Sequence, residues 1–153
     1  FDLQLDWDDI ARIRDWWGGT LILKGIMDPE DAKQAGKIGA DAIVVSNHGG
    51  RQLDGAESSI AMLPEVVAAV GNEIDVWMDS GVRSGQDVLK AIALGAKGVM
   101  IGRAFIYALG ANGKQGVSDA LHIIHKELDY TMAMCGHRDI HNVDRQILRN
   151  CPF

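Results

Sequence analysis

The sequence has 153 residues, 47% of them hydrophobic, with a net charge of −6 and a pI near 5.2. That is enough apolar material for the core of a single domain, and the acidic balance argues against nucleic acid or an anionic membrane surface as the main partner. No apolar run approaches the roughly 20 residues that span a bilayer, and no basic-then-apolar signal segment opens the chain.

In chain order, Asp9 to Trp17 reads as a helix ended by Gly18-Gly19. Leu21-Ile22-Leu23 is the first of four short apolar runs; the others are Ala42-Ile43-Val44-Val45, Val76-Trp77-Met78 and Val99-Met100-Ile101. Each is continuous rather than alternating and is flanked by glycine, the pattern of parallel strands covered on both faces.

Helical patterns separate the runs. Asp28-Pro29 offers an N-cap with proline in the first turn, and that helix closes at Gly39. Ser58 or Ser59 precedes a stretch that ends at Gly71, and Ser84 with Asp87 resembles a capping box for a helix closed by Gly95. After the fourth run come a short segment over 104–109 and a helix from Ser118 to Met134. The second of these carries Leu121, Ile124, Leu128 and Met132 along one face.

A weak repeat underlies this order. Gly25, Asp31, Ala35, Gly39 and Ala40 recur 56 positions later as Gly81, Asp87, Ala91, Gly95 and Ala96. A period of that length fits two strand–helix units. The predicted class is α/β, as the C-terminal half of a TIM (β/α)8 barrel. A Rossmann sheet is the alternative, but no run is followed by GxGxxG.

Four strands cannot close a barrel, and alone they would leave two bare edges and an uncovered interior. The chain also opens at Phe1-Asp2-Leu3-Gln4 without methionine. Both features lead to the expectation of a processed or excised segment whose partner is an N-terminal half of similar size, or a second copy.

Barrel enzymes carry their chemistry at the C-terminal ends of strands. Here the four runs end in Lys24-Gly25, in Ser46-Asn47-His48-Gly49-Gly50-Arg51, in Asp79-Ser80-Gly81-Val82-Arg83 and in Gly102-Arg103. The last two give Gly-Arg loops, and the loops after the seventh and eighth strands commonly hold phosphate. Glycine allows close approach of backbone amides, and arginine makes bidentate phosphate contacts. His48 beside a buried Asp79 suits a base, Arg51 a carboxylate clamp, and Lys24 the stabilisation of negative charge on a reduced cofactor. Together they suit removal of a proton and a hydride from a 2-hydroxy carboxylate.

Cys135 and Cys151 are too few for a disulfide framework, so reduced thiols in a cytosolic setting are expected. Cys135, His137, His141 and Cys151 lie close in sequence but lack any CxxC or HExxH spacing, so no metal site is expected. His122 and His125 are expected along one polar helix face.

The stretch Ser46-Asn47-His48-Gly49-Gly50-Arg51-Gln52-Leu53-Asp54 resembles the active-site signature of the FMN-dependent 2-hydroxy acid oxidases and dehydrogenases. The similarity runs from about Trp7 to the last helix, with Lys24-Gly25, Asp79-Ser80-Gly81-Val82-Arg83 and Ile101-Gly102-Arg103 in the family's order. The resemblance implies FMN as cofactor, and it implies His48 as the base, paired with Asp79. Arg51 would bind the substrate carboxylate, and Lys24 and Ser46 would meet the isoalloxazine. The FMN phosphate would lie against Arg83, Arg103 and the amides around Gly81 and Gly102.

At the Ser80 position oxidases of the family such as glycolate oxidase usually carry a second glycine, whereas its mandelate and respiratory lactate dehydrogenases carry serine. Ile13 to Trp17, Lys24 to Ala32 and Arg103 to Leu109 look closest to the L-lactate dehydrogenase branch. The resemblance thus implies oxidation of L-lactate or another small 2-hydroxy acid, with electrons passing to quinone or another acceptor. An O2-using oxidase, a mandelate dehydrogenase and a non-catalytic phosphate-binding barrel are the alternatives. It further implies a homotetramer, cytoplasmic or peripheral on the inner face of the cytoplasmic membrane.

Overall fold

The computed structural model describes residues 4–149, so Cys151 and the opening Phe1-Asp2-Leu3 lie outside the described residues. The first helix, α1 (Trp7–Trp16), starts two residues earlier than expected because Asp6 caps it. The Asp6 carboxylate accepts from the backbone N–H groups of Asp8 and Asp9, and Asp9 returns the bond to Asp6 N–H, which completes a capping box. Then follow β1 (Ile22–Ile26), α2 (Pro29–Ile38), β2 (Ala42–Val45), a 3₁₀ turn (His48–Gly50), α3 (Ser59–Val70), β3 (Asp75–Met78), α4 (Gly85–Ala93), β4 (Gly98–Val99) and α5 (Arg103–Met134). Two 3₁₀ turns, Ile140–Asn142 and Arg145–Ile147, are the last elements of the described residues.

The sheet order is β1-β2-β3-β4, with every neighbouring pair parallel. Consecutive strands that each step to the next position through a helix are the repeating unit of a (β/α)8 barrel, and four such units are present. The repeat in the sequence has a structural counterpart in both halves. Ala35 and Ala91 are fully buried, Ala40 and Ala96 nearly so, and Ala40 N–H and Ala96 N–H each donate to those alanines' carbonyls at 3.0 Å. Asp28 and Ser84 cap α2 and α4, and the Ser84–Asp87 capping box is formed as the sequence predicts.

One face of the sheet is covered by α2, α3 and α4. Ile43, Val45, Val76 and Met78 pack there against Ala32, Ala35, Leu63, Val66, Val70 and Ala91. A second cluster, Leu89, Ala93, Met132 and Val143, joins α4 to α5 and the chain's last turns.

The opposite face departs from expectation. Only β2, flanked on both sides, is buried along its whole length; β3 alternates, and Ile22 and Trp77 remain 52% and 37% exposed. Register places Lys24, Val44, Trp77 and Gly98 side by side. This is the barrel's interior face, and four strands supply no opposing wall to cover it.

α5 merges the two helical segments expected over 104–109 and 118–134, with a break at Asn112 and Gly113 where the backbone leaves helical angles. Met132 is buried and Ile124 and Leu128 are half-buried, but Leu121 is 52% exposed, so the expected apolar face is covered only at its C-terminal end. His122 and His125 are exposed, and His125 lies 3.5 Å from Asp129.

α4 and α5 meet so closely that a Cβ on Gly85 would lie 2.0 Å from the backbone nitrogen of Leu128 and 2.6 Å from the carbonyl oxygen of Ile124. Backbone cannot yield as a side-chain tip can, so Gly85→Ala is expected to force the helices apart and destabilise the protein by about 1–3 kcal/mol. A lowered urea midpoint with unchanged slope is the expected reading.

Candidate active site

Because the strands are parallel and in register, their C-terminal ends lie side by side. Lys24 sits on β1, where an irregularity between Lys24 and Ile26 shifts the pairing with β2. Ser46 to Arg51 follow β2, Asp79 to Arg83 follow β3, and Gly102-Arg103 open α5. A cavity of about 310 Å³ at this rim is lined by Lys24, His48, Arg51, Asp79, Ser80, Gly81, Arg83, Gly102 and Arg103. Residues spread over 80 positions of sequence thus share one space. Ser46, 1% exposed, lies beneath the rim and reaches it through hydrogen bonds.

Three arginines and a lysine face this cavity, with Asp79 as its single carboxylate. In a chain of net charge −6 such a local excess of positive charge marks a site for an anionic ligand.

Lys24 and Asp79 form the centre of a connected network. Lys24 Nζ lies 3.1 Å from Asp79 Oδ2 and donates to Ser46 Oγ at 2.9 Å. Ser46 Oγ also accepts from the backbone N–H of His48 at 3.1 Å. On the other side, Ser80 Oγ donates to Asp79 Oδ1 at 2.9 Å and accepts from Gly49 N–H at 3.0 Å.

The pairing of His48 with Asp79 that the resemblance implied is not formed in this structure. Both Asp79 oxygens are engaged, one by the ammonium and one by the serine hydroxyl. Asp79 therefore connects to His48 through the two serines and the backbone rather than ring to carboxylate.

His48 has φ +56 and is followed by Gly49 and Gly50 at φ +70 and +72. Three successive left-handed residues turn the chain sharply and leave the histidine exposed at the rim. Its imidazole rests against Gly25, where a Cβ would come within 2.7 Å of Cε1. Gly25 also has φ +100, so the position needs glycine twice over. Gly25→Ala is expected to push the ring aside and lower kcat about 10- to 100-fold, the scale of an ångström-size misplacement.

Two further residues build this loop without any signal in the local sequence pattern. Asn47 Oδ1 accepts from Gly49 N–H at 3.0 Å, and its Nδ2 donates to the Glu57 carbonyl at 3.2 Å. Ser59, 2% exposed, accepts from Asn47 N–H at 3.0 Å. Both serines were candidates to start α3, but its N-cap Ser58 makes no side-chain cap and Ser59 serves the site loop instead.

The two Gly-Arg loops also prove unequal. At the start of α4 the N–H groups of Arg83 and Ser84 donate to Asp87 Oδ2 at 3.0 and 3.1 Å, and Gly85 N–H donates to Glu127 Oε2 at 2.9 Å. Carboxylates already occupy that helix start, so it is not available to an anion. What the β3 loop offers is Gly81 and the Arg83 side chain. At α5, by contrast, the N-cap is Gly102 and no side chain caps the helix. An uncapped N-terminus beside Arg103, Arg83 and Gly81 is the geometry that receives a phosphate.

The profile of the family described as FMN-dependent dehydrogenase matches residues 1–150. An L-lactate dehydrogenase of Caulobacter sp. (strain K31) is 57% identical over 148 residues, which is 97% of this chain and 39% of that protein. An L-lactate dehydrogenase of Pseudomonas syringae pv. syringae (strain B728a) is 51% identical over the same shares. Among solved structures, a mandelate oxidase with 3,3-difluoro-2-hydroxy-3-phenylpropionic acid superposes with a TM-score of 0.88 at 45% identity, covering 92% of this chain and 43% of that one. A mandelate oxidase mutant with the monooxide FMN adduct gives 0.86 at 46%, covering 89% and 43%. The chain spans less than half the length of these proteins and corresponds to the C-terminal part of the curated relatives. Its fold is accordingly α/β, the C-terminal half of a TIM (β/α)8 barrel.

Proposed function

The chain belongs to the FMN-dependent dehydrogenase family, and from that premise we propose that it supplies the base, the substrate-carboxylate clamp and the cofactor-phosphate site of an enzyme that oxidises an L-2-hydroxy acid, L-lactate first among them. The observation that carries the proposal is the single rim cavity in which His48, Arg51 and Lys24 stand with Arg83, Arg103 and the uncapped start of α5. The residues present fit FMN: an open helix N-terminus and two arginines suit its phosphate, and Lys24 suits the edge of its ring that gains negative charge. When bound, FMN supplies the two-electron acceptor that takes the hydride from substrate C2.

The protein's own groups do the rest. The Arg51 guanidinium pairs with the substrate carboxylate and fixes its orientation. His48 takes the hydroxyl proton as C2 is oxidised to the carbonyl of a 2-oxo acid. Asp79 keeps Lys24 in place through their ion pair. The remaining strands and the rest of the substrate pocket come from the N-terminal part with which this chain works.

L-lactate is favoured as substrate by the 57% identity to a protein named for that activity. Quinone or another acceptor downstream is favoured by serine at position 80, as the resemblance implies. The second reading, a hydroxy acid oxidase using O2, is favoured by the mandelate oxidase neighbours. A panel of L-lactate, glycolate and (S)-mandelate, assayed with a dye and then with O2 as acceptor, separates the two. Rapid dye reduction by L-lactate with little O2 consumption supports the first reading. Fast peroxide formation supports the second.

A further inference from the structure

The two N–H groups that flank the turn at His48 are each held by a serine hydroxyl, and both serines end on the same ion pair. Ser46 receives His48 N–H and Lys24 Nζ; Ser80 receives Gly49 N–H and donates to Asp79. His48 needs such a restraint. Its φ of +56 is costly for any residue with a Cβ, and its exposed ring makes no hydrogen bond among the described residues.

Ser80 is itself held at φ +74, the second non-glycine residue of the described chain with positive φ. Its hydroxyl thus joins one residue at positive φ to the peptide that follows the other. Strain at Ser80 and at the residue whose peptide it binds is a costly arrangement for a side chain whose only task is to shape a loop.

We propose that Ser80 is a positioning residue for His48: its hydroxyl couples the Asp79 carboxylate to the His48–Gly49 peptide and fixes the imidazole at the rim. The inference rests on the reading of His48 as the base. Removal of the hydroxyl leaves Gly49 N–H on Asn47 Oδ1 alone and cuts the turn's tie to Asp79, so the turn can shift at the rim. The ring then leaves its place against Gly25, while Arg83 and the open start of α5 keep theirs; Arg103, which donates to the Gly49 carbonyl at 3.4 Å, is monitored through bound flavin. The loss should fall on kcat and spare KM, because Arg51 still binds the carboxylate.

The test uses the flavin-loaded enzyme that contains this chain, with Ser80→Ala and Ser80→Gly made in the wild type and in a His48→Gln background. Steady-state kcat and KM for L-lactate are measured alongside bound flavin. Ser80→Gly removes the hydroxyl yet accepts positive φ freely, so it tests the bond even if the alanine variant fails to fold. Expected in the wild-type background is a fall in kcat of about 10-fold with KM changed less than about 2-fold and flavin retained. In the His48→Gln background the same substitution should change kcat by less than about 2-fold, since the residue acts through a base that is gone. Equal losses in both backgrounds would show that Ser80 acts on flavin or acceptor instead, and no loss in the wild type would show that the bond is idle. Either result overturns the proposal. Failure of the underlying functional reading is separately visible, because the unmodified enzyme would then not turn over L-lactate at all.

Discussion

Replacement of His48 by Gln is expected to lower kcat for L-lactate by about 10²- to 10⁴-fold, the range for loss of a positioned general base. Glutamine keeps a polar side chain of similar reach but cannot take the hydroxyl proton. The structure makes a clean result attainable. The imidazole makes no hydrogen bond to the phosphate cluster, and the turn is held by backbone N–H bonds to Ser46 and Ser80 that glutamine retains. FMN content and thermal stability should therefore stay near wild type while turnover collapses. A variant that lost flavin in proportion to activity would instead place His48 in cofactor binding. Unchanged turnover would show that His48 is not the base; no turnover even in the unmodified enzyme would support the reading of the chain as a phosphate-binding barrel without catalysis.

The second large effect is expected at Arg51. It lines the same cavity as His48, three positions on, and its exposed guanidinium is free to meet an incoming carboxylate. A hydrogen-bonded charge pair that loses one partner costs roughly 2–5 kcal/mol, which corresponds to about 30- to 4,000-fold in kcat/KM. Arg51→Met should show that loss with KM for L-lactate raised. Arg51→Lys should recover only part of it, because a point charge replaces a planar fork. Flavin binding should not change in either variant. Loss of flavin with an unaltered KM would assign Arg51 to the cofactor and not to the substrate.

Much of this site was legible in the sequence, for reasons that are physical. Glycine beside a charged residue at the end of an apolar run marks a strand end that must turn and stay solvated. Four such ends predict one rim, and nine of the ten candidate residues line one cavity. The 56-residue repeat held down to hydrogen bonds, because a parallel βα unit demands a small residue and an amide bond where the helix closes onto the strand.

What could not be read were bonds between side chains and distant backbone. Glu127 reaches Gly85 across 42 positions, and Ser80 reaches Gly49 across 31. Neither leaves a periodic trace. The same blindness produced the misplaced expectations. At the start of α4 the Ser84–Asp87 capping box was legible, but nothing local shows that Glu127 takes Gly85 N–H and closes that helix start to an anion. Asp79 looked like the histidine's partner because nothing local shows Lys24 beside it. The burial of β3 was overestimated for a different reason. Its Trp77 faces an interior that only a complete barrel covers, and an apolar run reports the environment of the whole fold.

The central claim is that this rim holds FMN and an L-2-hydroxy acid side by side. Anaerobic addition of L-lactate to the flavin-loaded enzyme that contains this chain tests it most directly, because no second acceptor intervenes. The account predicts loss of the visible flavin absorbance with one 2-oxo acid formed per flavin. Flavin that dithionite reduces but no 2-hydroxy acid does would contradict it.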